Sequence, residues 1–275
     1  MTIPWLLAMV SALSLVSVQY TFADLPPLIP REILFGNPER QNPQISPDGK
    51  YLAYLAPDKN NVLQVNFRGS TGYGKKFLHA GDREWAGKMH DDLIDGVNWI
   101  VKEGIADPKK IASMGISYGG YATLVGLTFT PDVFVAGVDL VGISNIVTMF
   151  KTMPPYWTPL KALFVRRIGD PEKEEEFLKS RSPLFLIDRI KAPLLIGQGA
   201  NDPRVVQAES DQMVEAMRKA NKPVEYILYP DEGHGLARPE NRLHFFAEAE
   251  EFLVKHLGGR SEPMGEIKGH SGIRK

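Results

Sequence analysis

The chain has 275 residues, 43% of them hydrophobic and 24% charged, with a net charge of −1. That is ordinary for one large α/β domain with ample core, and a charge so near zero gives no electrostatic case for a nucleic-acid partner. With no cysteine, disulfides, thiolate metal sites and cysteine catalysis are excluded.

In chain order, residues 5–18 form an apolar core of signal-peptide length, and Thr21-Phe22-Ala23 offers a cleavage site before Asp24. The run is short against the ~20 residues a membrane span needs. Residues 1–23 are therefore read as a signal peptide, with export to a periplasm or medium expected and no stable membrane span. A membrane anchor is the alternative, since residues 1–4 lack the usual Lys or Arg. Residues 24–30 are proline-rich and open a linker that runs to residue 61.

From there the pattern alternates as an α/β fold does. Residues 62–66 read as a strand. Residues 84–103 read as a helix, with Trp85, Met89, Leu93, Val97 and Ile100 on one packed face. Strands follow at 110–114, 133–140, 192–197 and 224–229, with helices at 207–219 and 241–256. Met153-Pro154-Pro155-Tyr156-Trp157-Thr158-Pro159 breaks the pattern. Its Tyr156 and Trp157, with Tyr118 and Val205, are candidates for an apolar substrate pocket, core packing being the plainer reading. Residues 259–275 are glycine-rich and polar and read as a flexible tail. No internal repeat, metal-ligand spacing or phosphate loop is present, and no cofactor is expected.

Gly115-Ile116-Ser117-Tyr118-Gly119 lies between the strand at 110–114 and a small-residue helix start at 120–127. That is the strand–turn–helix setting of a nucleophile elbow. A serine on a strained turn needs neighbours without Cβ, so that its Oγ stands clear and the helix packs close. The plainer reading is a glycine-rich turn whose serine caps a helix.

An elbow serine needs an acid and then a histidine later in the chain. Of six histidines, His79 and His90 precede the elbow, His244 and His256 fall in a helix pattern, and His270 is in the tail. His234, in Asp231-Glu232-Gly233-His234-Gly235 after a strand, is free to reach across a cleft. Asp202, in Asn201-Asp202-Pro203-Arg204-Val205 after the preceding strand, is the matching acid. A buried carboxylate there would hold His Nδ1–H and leave Nε2 to take the serine proton. A helix N-cap is the plainer role for Asp202; Asp139 and Asp231 are the weaker alternatives as acid.

These motifs, with Asn66-Phe67-Arg68-Gly69-Ser70-Thr71-Gly72-Tyr73-Gly74 ahead of them, resemble the prolyl oligopeptidase family, and most of all its acylaminoacyl-peptidase and dipeptidyl-peptidase branch. The resemblance runs from about residue 63 to 257. It implies an α/β-hydrolase fold, a mostly parallel sheet flanked by helices, over residues 62–258. It also implies Ser117 as nucleophile, Asp202 as orienting acid and His234 as general base. The Tyr118 N–H would be one oxyanion donor, and the substrates short peptides or blocked amino-terminal residues.

The chain departs from that family in two ways. Members carry a β-propeller ahead of the catalytic domain; here residues 44–55 resemble the start of one repeat, which cannot stand alone. The hydrolase strands that normally come first, with their histidine-glycine-glycine loop, are missing too, so the N-terminal side of the sheet is truncated. That loop normally gives the second oxyanion donor, and losing one donor costs about 10²–10³ in kcat. Tyr73 or residues 61–66 are candidate substitutes. Residues 51–55 are expected to fill the missing strand position, antiparallel beside 62–66, because the six-residue link is too short for a parallel crossover. Three functions remain open: a peptidase, a promiscuous carboxylesterase, and a catalytically impaired truncated homologue.

Overall fold

The computed structural model describes residues 62–275. The signal-peptide, linker, propeller-remnant and 51–55 strand expectations all lie outside them.

Five strands form one sheet: β1 (Ala112–Ile116), β2 (Ala136–Leu140), β3 (Leu194–Gly199), β4 (Val224–Tyr229) and β5 (Ile273–Arg274). They lie side by side in chain order. β1 to β4 are parallel, and β5 adds antiparallel to β4. Every residue of β2 and β3 is buried, as expected of strands covered on both faces. The period of two then sorts the side chains. Leu194, Ile196, Tyr226 and Leu228 enter one core with Leu124, Leu127, Met213 and Met217. Leu195, Ile227 and Tyr229 enter the opposite one with Val138, Leu140, Phe245 and Phe252.

Helices α1 (Gly74–His79) and α2 (Lys88–Lys102) precede the sheet, and α3 (Tyr118–Phe129) follows β1. After β2 come α4 (Ile146–Lys151), α5 (Lys161–Ile168) and α6 (Glu175–Ser180). α7 (Gln207–Lys219) joins β3 to β4, and α8 (Pro239–Leu257) follows β4. α3 and α7 cover the first face, and α8 covers the second. Among the described residues, no helix is long and apolar enough to cross a membrane.

Three expectations change. Residues 62–66 form no strand and pair with none among the described residues. A strand needs a neighbour in its ladder, and none lies between this segment and β1. Leu63 and Val65 instead lie against Gly96 of α2, where an added Cβ would stand 2.8 Å from Val65 Cγ2. Among the described residues β1 is in consequence the edge of the sheet, with Met114 40% and Ile116 46% exposed.

The helix expected from residue 84 begins at Lys88. Arg83 and Ala86 have φ of 64° and 48°, a left-handed backbone that no α-helix contains. Glu84 stands outside the helix and accepts from Lys88 N at 2.9 Å. The face packed on the core is Ile94, Val97 and Val101, so of the expected stripe Trp85 is freed for another use.

The tail is packed rather than free. Lys275 N donates to Tyr226 O at 3.0 Å, Ser271 N to Asn241 Oδ1 at 2.8 Å, and Arg238 Nη2 to Gly269 O at 3.0 Å. Arg274 pairs with both Glu225 and Glu248, and His270 stacks on His244 at 3.7 Å. A polar composition concealed these contacts because each partner is distant in sequence.

Candidate active site

Ser117 stands between β1 and α3 with φ 59° and ψ −116°. That is a strained backbone for a residue with a Cβ, of the kind found at functional sites. Two contacts impose it. Ser117 N donates to Leu140 O at 2.9 Å, tying the turn to β2. Gly115 lets the elbow close, since a Cβ there would lie 2.1 Å from Gly119 O. Gly120 lets α3 approach β2, since its Cβ would lie 2.2 Å from Asp139 Oδ1 and 2.7 Å from Gly142 Cα. Gly119 has open space around its Cβ direction, so Gly115 and Gly120, not both motif glycines, carry the steric demand. Ser117 makes no side-chain cap to α3, which removes the plainer reading. Tyr118 is the first residue of α3, so its N–H has no intrahelical acceptor and faces outward at the positive end of the helix.

Asp202 follows β3 and is 4% exposed. Its Oδ1 accepts from Arg204 N at 2.8 Å and Val205 N at 3.0 Å. Its Oδ2 lies 2.7 Å from His234 Nδ1. The N-cap of α7 is Val206, so the carboxylate does not cap that helix. His234 Nε2 lies 2.9 Å from Ser117 Oγ. The three predicted residues are thus one hydrogen-bonded line: carboxylate, imidazole, hydroxyl. Such a line can draw the proton from Ser117 and hold the resulting imidazolium.

The alternative acids have other roles. Asp231 bonds Asn241 at 3.0 Å and also pairs with Arg238 and Ser271. Asp139 is the last residue but one of β2, buried between Gly120 and Gly142, with Oδ1 lacking a hydrogen-bond partner. Burial pushes its carboxyl up to about 7, with the Gly142 N–H pulling the other way.

Glu232 was not singled out from the sequence, yet it fixes the histidine loop. It is 2% exposed. It accepts from Ala237 N at 2.8 Å, Arg238 N at 2.9 Å and Asn241 Nδ2 at 2.8 Å. Its own carbonyl accepts from Asn201 N at 2.9 Å, linking the loops that carry His234 and Asp202. Removing the carboxylate leaves the buried Asn241 amide without this acceptor, at about 1–3 kcal/mol. Glu232→Ala is therefore expected to lower the thermal midpoint and activity together. Glu232→Gln, which keeps one acceptor oxygen, should lose less of both; calorimetry beside ester turnover checks this.

The expected pocket is only partly assembled. Val205 is buried in the cluster that holds Tyr118 and Tyr121. Tyr156 is 54% exposed, its ring 6.1 Å from Trp157, and Trp157 packs on Phe164 at 5.3 Å. These two rings lie on a 3-10 turn at Pro155–Leu160 that follows Pro154. Trp85 takes their place: its ring lies 4.8 Å from Tyr118 and 4.9 Å from Tyr121. Phe67 adds a ring 5.5 Å from Tyr118. Tyr73, a candidate oxyanion donor, is 56% exposed with its ring on Phe77. Among the described residues, no group of three or more His, Asp or Glu is placed to hold a metal.

Known proteins resemble this chain in sequence and in fold. The chain is 59% identical over 220 residues to dipeptidyl aminopeptidase BIII of Pseudoxanthomonas mexicana, covering 79% of this chain and 32% of that one. A puromycin-hydrolyzing peptidase of Mycobacterium tuberculosis superposes with TM-score 0.67 at 31% identity, over 72% of this chain and 30% of that one. An acylaminoacyl peptidase of Pyrococcus horikoshii superposes with TM-score 0.64 at 28% identity, over 72% and 32%. The chain spans about a third of the length of these relatives. The sequence profile of the prolyl oligopeptidase family matches residues 50–260. With its α/β-hydrolase sheet and flanking helices, the chain belongs to the prolyl oligopeptidase family.

Proposed function

We propose that this chain is a serine peptidase that cleaves short peptides or blocked amino-terminal residues through a Ser117 acyl-enzyme. The observation that carries the reading is the Ser117–His234–Asp202 line, with links of 2.9 and 2.7 Å. Ser117 Oγ attacks the scissile carbonyl as His234 Nε2 takes its proton. Asp202, held by two backbone N–H groups, keeps Nδ1–H pointed at itself and stabilises the imidazolium. His234 then gives the proton to the leaving nitrogen, and water repeats the sequence on the acyl-enzyme. The Tyr118 N–H stabilises the oxyanion; Ser117 N is committed to Leu140 O. The names of the relatives, an aminopeptidase and an acylaminoacyl peptidase, support the substrate class.

The exposed edge of β1 favours a second reading, an esterase. Among the described residues no strand lies beside it to offer a backbone donor from that side. Amide cleavage leans harder on oxyanion stabilisation than ester cleavage does. The test is fluorophosphonate labelling of the parent, Ser117→Ala and His234→Ala. Turnover of p-nitrophenyl acetate and of aminoacyl p-nitroanilides follows. Labelling confined to the parent supports an activated serine, and the ester-to-anilide ratio then separates esterase from peptidase. A folded parent that stays unlabelled rejects both.

A further inference from the structure

The loop at 230–238 joins β4 to α8 and carries His234 between two glycines. Gly235 has φ 80°, and glycine leaves a backbone freer than any other residue does. The place of the imidazole must therefore be fixed by what grips the loop. Glu232 grips it from inside, through Ala237 N and Arg238 N. A second grip comes from residues 269–275, whose partners near the loop lie 30 to 40 positions away in sequence.

Asn241, fully buried in the first turn of α8, is the junction. Ser271 N donates to its Oδ1 at 2.8 Å. With the amide oxygen so held, the NH₂ turns the other way and donates to Asp231 Oδ1 at 3.0 Å and to Glu232 Oε1 at 2.8 Å. The sense matters, because a flipped amide would set its oxygen against two carboxylates. Ser271 Oγ donates to the same Asp231 Oδ1. Arg238 closes the frame: it pairs with Asp231, and its Nη2 donates to Gly269 O at 3.0 Å. Asp231 and Glu232 precede His234 and Arg238 follows it, and all three are bonded either to this segment or to the asparagine it orients. The far end of the segment is anchored apart from the loop, by β5 on β4 and by Arg274 on Glu225 and Glu248.

Resting on the acyl-enzyme reading above, we propose that Ser271 is a positioning residue: through Asp231 and Asn241 it holds the histidine loop so that His234 Nε2 stays in reach of Ser117 Oγ. It touches neither substrate nor the reacting atoms. The aromatic wall of Trp85, Tyr118 and Tyr121 stands on other elements, so the effect falls on the chemical step and not on binding. A displacement of 1 Å at a reacting group can cost about 10²-fold in rate. Ser271→Ala removes the hydroxyl but keeps the backbone N–H on Asn241, so a smaller loss follows.

The experiment treats the full chain with a fluorophosphonate and reads the maximal labelling rate and the half-saturating probe concentration, with the thermal midpoint from calorimetry. Ser271→Ala is expected to lower the maximal rate about tenfold, with the half-saturating concentration unchanged and the thermal midpoint still well above the assay temperature. Ser271→Thr, which returns a hydroxyl to the same place, is expected to recover most of the rate. Asp231→Ala should slow labelling too, and the double variant no more than the slower single one, since the two residues act along one path. Labelling of Ser271→Ala at the parent rate overturns the role, as does a loss that appears only in the half-saturating concentration, one that tracks unfolding, or losses that add in full. A folded parent that does not label overturns the acyl-enzyme reading, and the positioning role with it.

Discussion

Asp202→Asn is expected to cut ester turnover by about 10⁴-fold, the loss seen when an orienting acid becomes an amide, while the fold persists. The argument is one of hydrogen-bond sense. Arg204 N and Val205 N both donate to Oδ1, so an asparagine must keep its carbonyl there. Its NH₂ then faces His234 Nδ1, which must accept rather than donate. The imidazole is driven to the Nε2–H tautomer, and a nitrogen already bearing a proton cannot take one from Ser117 Oγ. Steady-state kinetics together with circular dichroism check this. A variant with unchanged dichroism and parent-like turnover would show that the carboxylate does not set the tautomer. Asp202→Ala confounds the test, since it also strips the Arg204 and Val205 N–H groups of their acceptor, the second of them buried.

The largest loss of stability is expected from Gly115→Ala. The added methyl meets Gly119 O at 2.1 Å and Gly119 C at 2.2 Å, and both are backbone atoms that no rotamer change can move. The elbow must open, β1 and α3 must part, and Ser117 must leave its line with His234. Overpacking of a well-packed interior costs typically 1–3 kcal/mol and occasionally more; with backbone as the obstacle, a cost of about 3 kcal/mol and loss of fluorophosphonate labelling are expected. Gly119→Ala, four residues on, is the matched control. Its methyl enters open space, and alanine also favours the helix by about 1 kcal/mol over glycine, so its thermal midpoint should equal or exceed that of the parent. Differential scanning calorimetry of the pair decides the matter: equal midpoints would mean that the turn relaxes freely and its strain is not imposed by sterics.

How much was readable from sequence followed from how local each signal is. Ser117, Asp202 and His234 each sit on a short turn directly after a strand, and each turn announces itself by glycine or by Asn-Asp-Pro. The chain order then settled which residues belong together. Trp85 was misplaced because its turn uses left-handed Arg83 and Ala86, residue types that give no such warning. Glu232 was passed over because its use is inward, toward backbone donors up to six residues away, and charge in a loop ordinarily means solvent. Residues 62–66 have the composition of a strand, but composition cannot supply a neighbour. β5 is two residues long, below what any periodicity can register.

The line of bonds from Asp202 to Ser117 joins residues far apart in sequence: Ser117 and His234 are separated by 117 positions and Asp202 and His234 by 32. Contacts of such separation form only after the intervening chain has been ordered. The elbow can close early, from β1 and α3 alone, but the imidazole arrives only when β3 and β4 have docked in register. Activation of Ser117 is therefore expected late in folding, with the serine of a partly folded chain still lacking its imidazole. On the acyl-enzyme reading proposed above, a chain whose serine is activated only when its sheet is complete cannot attack other unfolded chains while it is still unfolded itself.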